Sequence, residues 1–322
     1  METFKKHHLI PIFLIILASS IIFSSTLACN AIDKEALLEF KRGIESESSG
    51  QLKTWDPNTD CCTSWNNVKC DNKTGRVVNL SPFRPSNPMD VDISVFVTGT
   101  ISPFLCNLTS LQHLDLGHFQ QFYLENPGQL SQLTYLSLAQ NILTGSIPTS
   151  IANLHRLKTL NLSYNKLSGT IPTSLFHSMK SLENLYLQQN NKFTGSIPSS
   201  IVNLLSLVYL RLDNNSISGE IPTIIGNLKN LKIIGLSSNE LTGKIPNSLG
   251  ELSQLSSLNL DHNKLTGSIP ANVLNLMNLE VFDVSMNQLS GKIPPHKLNF
   301  PASSFSGNPG LCDAPLPPCN NS

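Results

Sequence analysis

The chain repeats itself with a period near 24 residues, and that one fact restricts its fold more than anything else in it. "LSLAQNILTGSIP" at 136–148 returns as "LNLSYNKLSGTIP" at 160–172, "LRLDNNSISGEIP" at 210–222 and "IGLSSNELTGKIP" at 234–246. It returns again as "LNLDHNKLTGSIP" at 258–270 and "FDVSMNQLSGKIP" at 282–294. Aligned on their first leucine, the copies start at Leu111, Leu133, Leu157, Leu182, Leu207, Leu231, Leu255 and Leu279, with spacings of 22, 24, 25, 25, 24, 24 and 24. A unit this short cannot bury an apolar face alone, so successive units must stack and share one core. The 322 residues therefore read as one coil rather than two ordinary domains.

The fixed letters assign parts to each turn. In LxxLxL the leucines alternate with variable residues, the period-two pattern of a strand with one buried side. Strands of successive turns then stack ~4.8 Å apart into a parallel sheet. The Asn at 141, 165, 190, 215, 239, 263 and 287 ends each strand, where its amide can satisfy backbone groups of the bend. The Gly at 145, 169, 195, 219, 243, 267 and 291 allows a turn. A proline three residues after each of these glycines begins the return run without needing an N–H. A 20–29-residue period containing LxxLxLxxN is the leucine-rich-repeat signature. The predicted fold class is an α/β solenoid, a right-handed superhelix with a concave parallel β-sheet, short convex helices or 3-10 turns and disulfide-stapled caps.

Two places break the rhythm. Residues 76–108 resemble a degenerate first repeat that keeps "VTGTIS" at 97–102, with the proline-rich "SPFRPSNPMDVDISVF" inserted. The second repeat, "LQHLDLGHFQQFYLENPGQL", lacks both the Asn and the Gly-Ile-Pro. A solenoid exposes core at each end and must be capped. "DKEALLEFKRGI" at 33–44 reads as an amphipathic helix begun by Asp33. The expected division is a signal peptide at 1–28, a cysteine-rich cap at 29–75, about nine repeats at 76–297, the first two irregular, and a C-terminal cap at 298–322.

The first 28 residues carry Lys5 and Lys6, an apolar run from Leu9 to Phe23 and small residues before Cys29. They read as a secretory leader. The apolar run is short for a membrane span of ~20 residues, so no stable membrane insertion is expected. Taking Glu2, Lys5 and Lys6 from 22 acidic and 22 basic residues leaves 21 and 20. With no basic stripe, nucleic acid is excluded as a partner. Seven cysteines remain: Cys29, Cys61, Cys62, Cys70, Cys312, Cys319 and Cys106. Clusters at both ends suggest disulfides that staple the caps. Zinc is the competing use, but there is no CxxC pair and no histidine beside the cysteines. No cofactor or metal is expected.

"CNAIDKEALLEFKRGI", "DPNTDCCTSWNNVKC", the LxGxIP repeat and "GLCDAPLPPC" together resemble extracellular leucine-rich-repeat proteins of plants. Those most similar in size and layout are the polygalacturonase-inhibiting proteins and small secreted proteins of the DNA-damage-toleration type. The repeat is also similar to receptor-like-kinase ectodomains. The resemblance implies bridges Cys29–Cys61, Cys62–Cys70 and Cys312–Cys319. The inhibitors' further C-terminal cysteine, near "NQLSGKIP", has no counterpart here. Cys106 aligns with Ala152 and Gly226 on the convex run and is expected as a buried thiol.

The variable strand letters are the candidate site. The LxL centres are Asp115, Ser137, Asn161, Tyr186, Arg211, Gly235, Asn259 and Asp283. Beside them stand His113, Tyr135, Tyr164, Tyr209, Asp213, Asp261 and His262, all read as exposed. Four of five tyrosines fall on this one face. Tyrosine gives a stiff, wide contact with a polar tip and is enriched at binding hot spots, although it also suits strands. Asp, His and Ser occur on the face too, but a flat array has no closed pocket or nucleophile elbow. Asp261 and His262 would point to opposite sides of an ideal strand. A metal at His113 and His118 would need the second repeat to bend. Sequons at Asn72, Asn107, Asn161, Asn214 and Asn320 are candidate glycosylation sites; the one at Asn79 is set aside because Pro82 follows Ser81.

These readings converge on a secreted, non-catalytic recognition protein of the cell wall or apoplast that binds another protein. The resemblance implies a microbial pectin-degrading enzyme as that partner, and a plant receptor ectodomain as the alternative. Cell-wall pectin is a further candidate, and a developmental or stress role in the wall a third option.

Overall fold

The computed structural model describes residues 28–48, 50–83, 97–100, 102–118, 127–190 and 192–319. The leader, the proline-rich insertion beyond Phe83, Phe119 and Asn320 lie outside them. Each turn of the coil has three sides. The first is a sheet of ten strands running from Val68–Cys70 and Val77–Leu80 through His113–Asp115, Tyr135–Ser137, Thr159–Asn161, Asn184–Tyr186, Tyr209–Arg211, Ile233–Gly235 and Ser257–Asn259 to Val281–Asp283. Every pair is parallel except the first. From His113–Asp115 onward the register matches the repeat alignment: Leu114, Leu136, Leu160, Leu185, Leu210, Ile234, Leu258 and Phe282 are partners in sequence. All are buried, which pins the register, because a slip of one residue would expose the whole row.

Four residues past each strand from Tyr135–Ser137 onward comes the repeat's asparagine, which the fold buries in all of these turns but that of Asn215, where it is half-buried. Asn239 shows the full pattern. Its Nδ2 donates to the carbonyls of Leu212, Leu236 and Ser237, and its Oδ1 accepts from Ile217 N at 3.0 Å. Such backbone groups would otherwise be buried unpaired, at ~1–3 kcal/mol each. Asn308 repeats the pattern in the C-terminal cap, with bonds to Val284 O, Phe305 O and Leu289 N. "FSGN" there has the LxxN spacing, a signal the sequence held.

The second side was not anticipated as sheet. The LxGxIP letters form short parallel ladders rather than a plain turn, at Thr144–Gly145, Lys166–Thr170 and Lys192–Thr194, at Ser218–Glu220 and Glu240–Thr242, and at Thr266–Gly267, Gln288–Lys292 and Gly310–Cys312. Here the coils are offset by two residues, so Ser218 pairs with Glu240 and not with its repeat equivalent Thr242. The third side is a short helix entered by proline, as at Thr149–Asn153 after Pro148 and Thr223–Asn227 after Pro222.

The N-terminal cap corrects one assignment. Asn30, not Asp33, caps the helix Ala31–Arg42, accepting from Ile32 N and Asp33 N. Asp33 is fully buried and receives Arg76 Nε and Val77 N, tying the cap to the first repeat strand. "VTG" of the first repeat also departs from its later equivalents: Val97–Gly99 pairs antiparallel with Ile44–Glu47 of the cap. Trp55 and Trp65 stack with centroids 5.2 Å apart. Disulfides join Cys29 to Cys61, Cys62 to Cys70 and Cys312 to Cys319. Cys106 is buried and takes no part in them.

Candidate functional site

In-register strands align the variable letters into columns. One column holds His113, Tyr135, Thr159, Asn184, Tyr209, Ile233, Ser257 and Val281. Two residues on, another holds Asp115, Ser137, Asn161, Tyr186, Arg211, Gly235, Asn259 and Asp283. Just past the strands come Asp213, Ser237 and Asp261. After them is a corner column of Gln140, Tyr164, Gln189, Asn214, Ser238, His262 and Met286, each with φ between 52° and 58°. That left-handed corner turns the backbone toward the buried asparagine that follows.

The corner overturns two expectations. Tyr164 is not a strand neighbour of the other tyrosines but stands on the corner, 51% exposed. His262 does not point away from Asp261: the turn brings its Nδ1 to 2.9 Å from Asp261 Oδ2. The same carboxylate receives Ser237 Oγ. A third expectation fails beside them. Asp213, read as exposed, is buried at 4% and bonds Arg211 Nε through Oδ2 at 2.6 Å.

The face divides into two aromatic clusters. Tyr135 stacks on His113 with centroids 4.1 Å apart and planes 6° from parallel. Beside them a cavity of about 390 Å³ is lined by Asp115, His118, Tyr135, Asn161, Tyr164 and Gln188. Further along, Tyr186 and Tyr209 face each other with centroids 6.4 Å apart. Burial, with a smaller contribution from Tyr209, holds the Tyr186 phenol above its ordinary value of 10.0, against an opposing pull from Arg211. Tyr186 therefore stays neutral through the physiological range and keeps its O–H as a hydrogen-bond donor. Asp283 is half-buried and accepts from Ser285 N.

Among the sequons, Asn72 and Asn107 are exposed, and Asn161 and Asn214 half-buried. Asn161 Oδ1 already accepts from Ser163 N and Ser163 Oγ. The one group of at least three possible metal-binding side chains among the described residues, Cys29, Cys61 and Cys62, consists of disulfide sulfurs, whose thiolates are used up. No helix among the described residues is long and apolar enough to cross a membrane. Sequence reasoning missed the part played by Gly235, the one LxL centre without a side chain.

Comparison with known proteins agrees with this architecture. Residues 30–71 match the leucine rich repeat N-terminal domain, 132–154 and 156–178 the leucine rich repeat, and 178–293 a leucine-rich repeat region. The chain is 37% identical to receptor-like protein EIX1 of Solanum lycopersicum over 51% of this chain and 16% of that one. It is 33% identical to a polygalacturonase inhibitor of Vitis vinifera over 49% of this chain and 38% of that one. The chain thus spans well under half the length of these relatives. Among solved structures, a plant ice-binding protein superposes with a TM-score of 0.69 at 29% identity, covering 92% of this chain and all of that one. The ectodomain of the Arabidopsis thaliana receptor kinase GASSHO1/SCHENGEN3, solved in complex with CASPARIAN STRIP INTEGRITY FACTOR 2, gives 0.58 at 35% identity, covering 69% of this chain and 30% of that one.

Proposed function

We propose that this leucine-rich-repeat protein, of the plant extracellular kind, is a secreted, non-catalytic recognition module that holds another protein on its concave sheet. The observation carrying the reading is the in-register array of unlike side chains, with Tyr135 and the Tyr186–Tyr209 pair presented on a rigid backbone. Rigid tyrosines lose little entropy on binding and make good anchors. On this face the Ser237 hydroxyl bonds the Asp261 carboxylate rather than the His262 imidazole, unlike a nucleophile activated by a histidine base, which supports a role in binding rather than catalysis. The expected setting is the cell wall or apoplast, with Asn72 and Asn107 the sequons best placed for glycans and Asn161 and Asn214 bearing on access to the face.

The specific partner we propose is a microbial polygalacturonase, supported by the similarity to the grape inhibitor. A broad panel of fungal and insect polygalacturonases should include enzymes that the purified chain inhibits. Inhibition of none, with retained binding to a plant receptor ectodomain, would move the reading to a receptor adaptor, in line with the similarity to receptor-like proteins. A second reading rests on the other ladder, where Thr144, Ser168, Thr194, Ser218, Thr242, Thr266 and Ser290 put a hydroxyl on each of seven coils. That ladder would suit ordered water, as the similarity to a plant ice-binding protein suggests. Its test is thermal hysteresis of the purified chain, whose absence together with absent inhibition of ice recrystallisation removes it.

A further inference from the structure

Arg211 and Gly235 are directly paired across neighbouring strands, and their relation is more than adjacency. A Cβ placed on Gly235 would land on the Asp213 carboxylate and 2.5 Å from Arg211 Nε. The missing side chain is therefore the space in which the Arg211–Asp213 pair lies. Asp213 is buried and uses Oδ2 to hold Nε at 2.6 Å. Nε is the only guanidinium nitrogen of Arg211 that bonds within the described residues, and the side chain keeps 37% of its surface exposed. The Nη1/Nη2 end is thus left without a partner among the described residues, with Tyr186 opposite Arg211 on the neighbouring strand and Tyr209 two residues before it on the same one.

We infer that Arg211 is a preset carboxylate-binding fork, and that the partner docked on the concave face inserts an aspartate or glutamate side chain there. The inference rests on the concave-face reading and names one chemical requirement of the partner. A guanidinium offers two parallel N–H donors matched to a carboxylate, which a lysine cannot reproduce. Clamping by Asp213 removes most of the rotamer freedom that an exposed arginine would lose on binding. The carboxylate of Asp213 is spent on Arg211, so the pair is neutral overall and an incoming acid would meet the remaining N–H donors of the guanidinium rather than a free carboxylate.

The probe is a displayed library of random twelve-residue peptides panned against the full chain, with enriched peptides synthesised for titration. The expected result is a shared Asp or Glu whose amide replacement weakens binding about tenfold, the scale of one charge-assisted pair. Arg211→Gln should cause the same loss, and the two changes together no more than either alone. Arg211→Lys should recover only a minor part. Gly235→Ala keeps both charged groups but occupies their space, so it should displace the pair, weaken binding and lower the melting temperature as well. Enriched peptides without a shared carboxylate, or a carboxylate that matters equally in Arg211→Gln, overturn the assignment. If such peptides still depend on Tyr186, the concave-face reading survives and the fork alone fails. Failure to enrich any peptide counts against both.

Discussion

The two ladders of this solenoid are made by the same turns and share the same core, yet they treat their side chains in opposite ways. On the concave sheet the coils are in register, and one column reads Asp115, Ser137, Asn161, Tyr186, Arg211, Gly235, Asn259 and Asp283. On the second ladder the coils are offset by two residues, and the equivalent position is always Thr or Ser. An in-register parallel sheet places every exposed side chain beside those of the adjacent coils, so each change of letter changes a shared surface. The offset ladder instead sets Ser218 beside Glu240 and Lys244 beside Thr266, which interrupts its hydroxyl run with charge. The contrast fits the proposal of selective binding on the concave side, and the interrupted hydroxyl run weakens the ordered-water reading of the second ladder.

The largest effects should come from groups that serve both ladders. Leu210 under the concave sheet and Leu241 under the second ladder are both fully buried. Leu→Ala at either should cost ~2–5 kcal/mol in denaturant unfolding. A large loss at Leu210 with none at Leu241 would mean that the second ladder is not packed as described. Asn239 comes next, because it bonds the concave corner through Leu212 O and Leu236 O and the second ladder through Ile217 N. Asn239→Leu should cost ~2–4 kcal/mol, since several buried backbone groups lose partners together, and amide exchange at Ile217 should accelerate. At the small end, Thr266→Val should change stability by no more than ~0.5 kcal/mol and leave partner binding untouched. A larger change in binding would place the partner on the second ladder rather than on the concave face.

The repeat letters made the concave sheet legible, down to the partners of Leu160 and Leu210, because leucine alternation and the buried asparagine each have one physical solution. What stayed hidden depended on neighbours one coil away. Asp213 and Asp261 have the same place in their repeats, yet Asp213 is buried because Gly235 leaves room for it beneath Arg211. The left-handed corner at His262 was also out of reach, since strand alternation was extended one residue too far. In the cap, Asp33 resembled a helix start because it precedes the helical pattern. Its partner Arg76 lies 43 residues away, beyond any local signal.

Inhibition of a polygalacturonase panel by matched triple variants tests the central claim most directly. One variant carries alanine at Tyr135, Tyr186 and Tyr209, and the other carries valine at Thr242 and Thr266 and alanine at Ser290. At ~1–3 kcal/mol for each anchor, the tyrosine variant should lose at least about a hundredfold in affinity for any enzyme that the wild type inhibits. The ladder variant should match the wild type, and both should melt near it. Inhibition that survives loss of the three tyrosines but disappears with the ladder hydroxyls would contradict the account.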